Sequence, residues 1–211
     1  MKNNNKSYEM DMTTGPLFKM LLTYSLPVIA MGVLQCLYNA ADMVVAGKFA
    51  GSQALAAVGS TGSLVNLVVA LFIGISLGVN VTVARYFGAR DFDAVADTVH
   101  TAMLFSVISG VAIGIFGFCM ARTFLEWMGS PEDVIDLAAQ YLRIYFAGLP
   151  ALMIYNYGAG ILRAVGDTKR PLYYLIISGA LNVVLNLITV ICFDMGVAGV
   201  AYATVASEVL S

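Results

Sequence analysis

The sequence predicts an all-α membrane protein, a bundle of about six transmembrane helices. Hydrophobic residues make up 60% of the chain and charged residues only 11%, with a mean hydropathy of +0.84. A soluble domain carries roughly a quarter charged residues to cover its surface. The charges are also clustered, leaving uncharged runs at 21–41, 54–84, 101–121, 144–162 and 171–193. Each is near or above the ~20 residues that a helix needs to cross ~30 Å of hydrocarbon. A free backbone finds no water there, so apolar runs of this length must be helical.

Taken in order, residues 1–16 are polar and Asn-rich without periodicity, and are expected to form a cytoplasmic tail. Spans are expected at roughly 17–46, 54–84, 97–121, 131–163, 171–193 and 195–211, the last truncated at Ser211. The N-terminal apolar stretch is too long for a cleavable signal, and further spans follow it. Pro27 and Pro150 fall inside spans, where a missing N–H tends to kink the helix and can serve as a hinge. In the second span, Gly74 and Gly78, with Gly59 and Gly62, are expected to serve close helix packing.

The connections carry their own signals. Ser130-Pro131-Glu132-Asp133 reads as a helix start, with Ser as cap and acids on the positive dipole end. Arg85 to Gly88 and Arg163 to Gly166 each place a cation in a last turn and a glycine to close it. Pro171 is expected to open the fifth span. Lys2, Lys6, Lys19, Arg85, Arg90, Arg163, Lys169 and Arg170 fall on one side of the bilayer, and Lys48, Arg122 and Arg143 on the other. That asymmetry predicts a cytoplasmic N-terminus in a multi-pass protein of the plasma membrane. Arg143, near Gln140, is expected to snorkel to the interface.

Several function classes are disfavoured by composition. No basic patch points to nucleic acid. Cys36, Cys119 and Cys192 have no metal or disulfide spacing and read as apolar filler, and no cofactor is implied. The single His100 lies toward the cytoplasmic side and no nucleophile–base pair appears, so an enzyme is not expected.

The polar residues inside the spans are the informative ones. Gln35, Tyr38, Asn39 and Asp42 recur at i, i+3, i+4 and i+7, one helix face. Ser178, Asn182 and Asn186 recur at i, i+4 and i+8, the asparagines ~17 and ~23 Å along the fifth span at ~1.5 Å per residue. Thr204, Ser207, Glu208 and Ser211 share a face of the sixth. Such stripes either glue helices together or line a water-filled cavity. The carboxylates favour the cavity, because an acid at membrane depth costs at least ~2.5 kcal/mol and usually marks an ion or proton path. Burial also raises a carboxylate's pKa in general, so that it can take up a proton near neutral pH. Asp42, ~31 Å along a straight first helix, can equally be an interfacial cap. Asn66 and Asn80 in the second span are left open between cavity and packing.

The chain resembles the N-terminal lobe of the multidrug and toxic compound extrusion (MATE) family over essentially its whole length. The resemblance rests on the residues from Gln35 to Asp42 with the following Val45-Ala46-Gly47, on 54–59, on Leu162-Arg-Ala-Val-Gly-Asp-Thr-Lys-Arg-Pro171, on 181–186 and on 196–204. It implies twelve helices in two lobes of six, with a cavity between them, and export of cationic and amphipathic compounds in exchange for Na⁺ or H⁺. It implies cation or proton coupling at Asp42, Asn182, Asn186 and Thr204, the same four forming a Na⁺ site where Na⁺ is used. It implies a substrate cavity that includes Asn156, with Gln35, Tyr38, Asn39, Ser178 and Glu208 assigned to the cavity from their stripes. Many relatives carry an aspartate where this chain has Asn186, which weakens a Na⁺ site, since hard cations favour charged oxygens, and favours a proton switch at Asp42. Glu208 is a candidate for the compensating carboxylate. The expected partners are the lipid bilayer, cationic or amphipathic small molecules and a second, C-terminal lobe in a longer parent protein. The rival readings are a flippase for lipid-linked oligosaccharide, which should carry cations in its cavity, and a passive channel or scaffold.

Overall fold

The computed structural model describes residues 17–211; the expected tail at 1–16 lies outside them. Among the described residues the chain is helical and contains no strand. The helices are α1 (Leu17–Val45), α2 (Ser52–Gly88), α3 (Phe92–Trp127), α4 (Ile135–Ala164), α5 (Lys169–Leu187) and α6 (Gly196–Val209). α1 runs on into a π-helical turn at Ala46–Ala50, and α5 into another at Ile188–Cys192. With those turns included, five of the helices are long and apolar enough to cross a membrane, while α6 has 14 residues.

The apolar surface is consistent with a lipid surround. Phe18, Leu26, Ile29, Leu67, Val81, Leu104, Ile115 and Ile177 all point outward and are exposed. A polypeptide of this surface in water would expose far more contiguous hydrocarbon than soluble proteins carry. The enclosed helix is α4, where Leu142, Phe146, Leu149, Met153 and Tyr157 are fully buried between neighbours.

Glycine decides how closely the helices approach, but at positions other than those expected. A Cβ on Gly110 of α3 would stand 2.9 Å from the Pro150 Cα of α4, and one on Gly114 would stand 2.7 Å from the Phe146 carbonyl oxygen. At Gly117 it would overlap the Phe146 ring, and at Gly148 the Val205 side chain of α6. Small residues let backbones pack without a hydrophobic driving force, the usual device within a bilayer. By contrast, a Cβ on Gly59, Gly62, Gly74 or Gly78 would meet nothing within 4 Å. The expected packing role of that α2 series is therefore corrected for the described residues: these glycines lie on an open face. Asn80 of α2 belongs to packing. Its amide nests against Gly160 of α4; with the amide nitrogen turned to face them, it donates to the Gly160 and Ser76 carbonyl oxygens at 3.2 and 3.3 Å.

The connections are tight, and two of them differ from expectation. After α2 the left-handed residue is Arg90 (φ 60°), and Gly88 remains helical. The bond from the Asp91 amide to the Tyr86 carbonyl closes that end, and the Asp91 carboxylate then caps α3 by accepting from the Ala94 amide at 3.1 Å. After α4 the closing residue is Gly166 (φ 87°), as its type allows. α4 itself begins at Ile135 without a side-chain cap, so Ser130 is not its cap; Pro131 instead opens a separate turn accepting from the Val134 and Ile135 amides. α5 begins at Lys169, and Pro171 sits within its first turn. The cap comes from the buried Asp167, whose Oδ1 accepts from the amides of Lys169 and Arg170 at 3.2 and 3.1 Å. Its Oδ2 lies 3.2 Å from the Arg170 Nε. The Tyr24 hydroxyl of α1 donates to the Arg163 carbonyl at 3.2 Å, tying α1 to this connection.

Arg122 bonds Glu126 and Asp136 at 3.1 and 2.7 Å on the surface, and Arg143 stacks its guanidinium 6.0 Å from the Phe118 ring centre. The three cysteines are free and exposed.

Candidate functional site

The three polar stripes meet. α1 packs on α5 and α5 on α6, so the faces bearing the stripes converge on a cavity of about 260 Å³ closed behind by α4. From α1 it is lined by Gln35, Tyr38, Asn39 and Asp42; from α5 by Ser178 and Asn182; from α6 by Thr204, Ser207 and Glu208, with Ser211 just past its end. Asn156 of α4 and Asn66 of α2 complete the polar lining. Asn186 lies just outside the open space, fully buried against it.

Asp42 is a buried charged group of this arrangement. It is only 8% exposed and points into the bundle, so an interfacial cap does not describe it. The Asn186 Nδ2 donates to Asp42 Oδ1 at 2.5 Å and also to Asn182 Oδ1 at 3.1 Å. The Thr204 hydroxyl lies 3.4 Å from Asp42 Oδ2 and 3.0 Å from the Val200 carbonyl, sharing one proton between two acceptors. The Asn182 Nδ2 stands 3.5 Å from that hydroxyl. Two helices, α5 and α6, thus supply donors to the carboxylate that α1 carries or to its neighbours. A buried carboxylate is expensive unless its lone pairs are satisfied, and here each oxygen has a donor. The Asn186 Oδ1, however, is buried without a partner among the described residues.

Tyr38 depends on α5 for its position. Its ring lies directly over Gly179, where any Cβ would overlap it, so α1 and α5 approach through this ring–glycine contact one turn from the Asp42 cluster. Asn156 is held by donating to the Leu152 carbonyl at 2.9 Å, and Ser178 by donating to the Leu175 carbonyl at 3.2 Å. Glu208 lines the cavity one turn beyond Thr204.

Tyr141, Tyr145 and Tyr155 also line the cavity, and sequence reasoning missed them. Tyr141 and Tyr145 lie nearly parallel, with ring centres 6.4 Å apart. The available signal was periodicity: Tyr141, Tyr145, Leu152 and Asn156 recur at i, i+4, i+11 and i+15, one face of α4. Tyrosines in an apolar span blend into its hydrophobic count, which hid them. Among the described residues no Lys or Arg lines the cavity, and the charged side chains in its lining are Asp42 and Glu208.

Comparisons with known proteins bear on the fold and the family. The MatE family model matches residues 27–188. The chain is 30% identical over 198 residues to a probable multidrug resistance protein, YpnP, of Bacillus subtilis, covering 94% of this chain and 44% of that protein. It is 32% identical over 190 residues to a second probable multidrug resistance protein of the same organism, YoeA, covering 88% and 41%. A crystal structure of MATE in the bent conformation superposes with a TM-score of 0.87 at 32% identity, over 93% of this chain and 44% of that one. The chain therefore spans less than half the length of the relatives it matches. On the matched domain and on the fold of six helices, the chain belongs to the MATE family of membrane transporters.

Proposed function

We propose that this chain forms one lobe of an exporter of organic cations, driven by exchange for H⁺ or Na⁺ across the plasma membrane, with its N-terminus in the cytoplasm. The observation that carries the reading is the buried Asp42 carboxylate at the wall of a polar cavity, joined to α5 through Asn186 and to α6 through Thr204. An acid held this way at membrane depth is a natural site for a cation to bind and leave.

Asn186 determines which cation the site prefers. As arranged, its amide gives both N–H groups away, to Asp42 and to Asn182, which suits an ionised Asp42. A proton on Asp42 removes the need for that donor. Turning the Asn186 amide over would then let its partnerless Oδ1 accept from the protonated acid. The two arrangements differ in how α1 is held to α5, which is the kind of two-state element that alternating access requires. A Na⁺ ion at the same place would find Asp42, the amide oxygens of Asn182 and Asn186 and the Thr204 hydroxyl. Only one of these four donors is anionic, a poor set for a hard cation, so H⁺ is the proposed coupling ion.

The cargo follows from charge. Asp42 and Glu208 face the cavity, and among the described residues no cationic side chain lines it, which supports a cationic cargo over the anionic oligosaccharide lipid of the flippase reading. The test is transport by the full-length protein containing this chain, reconstituted in proteoliposomes with an imposed pH gradient. Uphill movement of a fluorescent organic cation that collapses with the gradient is the expected result. Gradient-independent leakage would instead favour the channel reading.

A further inference from the structure

A groove of about 280 Å³ runs between α3 and α4. Its wall is hydrocarbon: Val111, Ile115 and Phe118 of α3, with Phe146, Ala147 and Pro150 of α4. From Val111 to Phe118 it extends ~10 Å at ~1.5 Å per residue. By the helical period, Ala147 and Pro150 lie on the side of α4 opposite Tyr141, Tyr145 and Asn156, so the groove faces away from the polar cavity. Val111, Ile115 and Phe118 are exposed there, an outward face of the kind that meets lipid.

Arg143 stands at the end of this groove nearer the start of α4. Its guanidinium lies 6.0 Å from the centre of the Phe118 ring, and Ala147 follows it by one helical turn. This level is well inside the helix ends. Asp136, which pairs with Arg122 at the surface, precedes Arg143 by ~10 Å along α4, and the exposed Trp127 lies ~13 Å beyond Phe118 along α3. Arg122 is answered by two carboxylates. Arg143 is exposed and, among the described residues, has no ion pair. The Phe118 ring attracts the cation but offers no oxygen to its five N–H donors. A guanidinium in that state at the rim of a hydrocarbon groove is complementary to one chemistry: an anionic oxygen group carried on an apolar chain.

We propose that this groove is a site for an anionic phospholipid, with Arg143 on the phosphate and one acyl chain lying along Ile115, Ala147 and Pro150. The planar fork of arginine matches two phosphate oxygens at once, which a lysine ammonium does not. A headgroup without an ammonium leaves the whole negative charge to Arg143, so phosphatidylglycerol is favoured over phosphatidylethanolamine. With the N-terminus in the cytoplasm, the lipid belongs to the outer leaflet. The inference goes beyond the export reading and requires only that α3 and α4 cross the membrane.

The experiment is native mass spectrometry of the full-length protein in detergent, titrated with phosphatidylglycerol and with phosphatidylethanolamine of the same acyl chains. The tightest phosphatidylglycerol site should bind about tenfold more strongly than phosphatidylethanolamine, and Arg143→Gln should weaken it by about tenfold. Arg143→Lys, which keeps the charge and loses the fork, should fall between the two. Arg122→Gln removes a cation already held by Glu126 and Asp136 and should leave the site intact. Ala147→Trp fills the groove from an exposed position and should weaken lipid binding with Arg143 still in place. Inorganic phosphate at the concentration of the lipid should not displace it. Unchanged binding in Arg143→Gln, or an equal loss in Arg122→Gln, would overturn the role of Arg143. A loss in Arg143→Lys as complete as in Arg143→Gln would reduce that role to packing and overturn it too. Equal affinity for the two lipids would overturn the anionic head. Full binding in Ala147→Trp, or displacement by phosphate, would overturn the acyl-chain seat.

Discussion

The Asn186 side-chain amide on α5 donates to the carboxylate of Asp42 on α1, a hydrogen bond between residues 144 positions apart. It brings two helices that are distant in sequence to one buried charge, and Thr204 adds a third helix to the same group. A transporter lobe that responds to a cation needs such a shared group, because a ligand shifts an equilibrium only through contacts that differ between the two states.

Replacing that charge should uncouple transport. Asp42→Asn removes the titratable group and keeps its shape, so pH-driven efflux by the full-length protein should fall by at least about tenfold, the direction expected for a residue that carries the coupling ion. Folding should survive, since an amide can still bond to Asn186 and Thr204. Efflux in proteoliposomes, together with the melting temperature, checks both halves. Wild-type rates in the variant would remove Asp42 from the mechanism.

Adding a charge beside it should change the ion. Asn186→Asp places a second carboxylate next to Asp42, and two anionic ligands suit Na⁺ better than one. The variant should gain a stimulation of efflux by Na⁺ that the wild type lacks, read by titrating NaCl against choline chloride at constant pH. An identical, flat response in both proteins would contradict the donor-set argument.

The contact between α1 and α5 should not tolerate a methyl group. Gly179→Ala forces the Tyr38 ring off its seat, and overpacking of this kind costs about 1–3 kcal/mol. A lowered melting temperature and weakened binding of substrate are expected together, since the displaced ring lines the cavity. Gly114→Ala, which meets the Phe146 carbonyl oxygen away from the cavity lining, should lower the melting temperature with little change in affinity.

The cap of α5 should contribute stability without touching binding. Asp167→Ala removes the acceptor for the Lys169 and Arg170 amides, a loss of about 1 kcal/mol for a helix cap. Asp167→Asn should recover much of it, because asparagine also caps. Thermal unfolding of the two variants against wild type is the measurement, and equal melting points for all three would rule out the capping role.

Much of this architecture was readable from the chain. Apolar runs of span length force helices, because nothing else satisfies the backbone in hydrocarbon. The stripes on α1, α5 and α6 were legible for the same reason in reverse: a hydrophilic side chain in such a run must turn inward or find a partner. The glycines were harder. Gly74 and Gly78 carry the spacing of a packing motif yet face open space, while Gly110, Gly114 and Gly117 seat Pro150, Met153 and Phe146. Spacing says which residues share a face and is silent about whether another helix lies against it. Ser130 and Gly88 failed similarly, since a cap or a left-handed turn depends on where neighbouring helices stop the chain, and those stops fell at Ile135 and Arg90.

By itself the sequence determined the helical class and the identity of the few polar side chains that membrane burial makes costly. Only the tertiary structure decided that Asp42 faces inward, that Asn186 and Thr204 are its partners, and that three tyrosines of α4 share their chamber. The physical reason is one of range. Hydropathy and helical period act over neighbouring residues and are written locally, whereas convergence depends on how helices rotate and cross, which is settled by contacts such as Tyr38 on Gly179 between residues far apart in the chain.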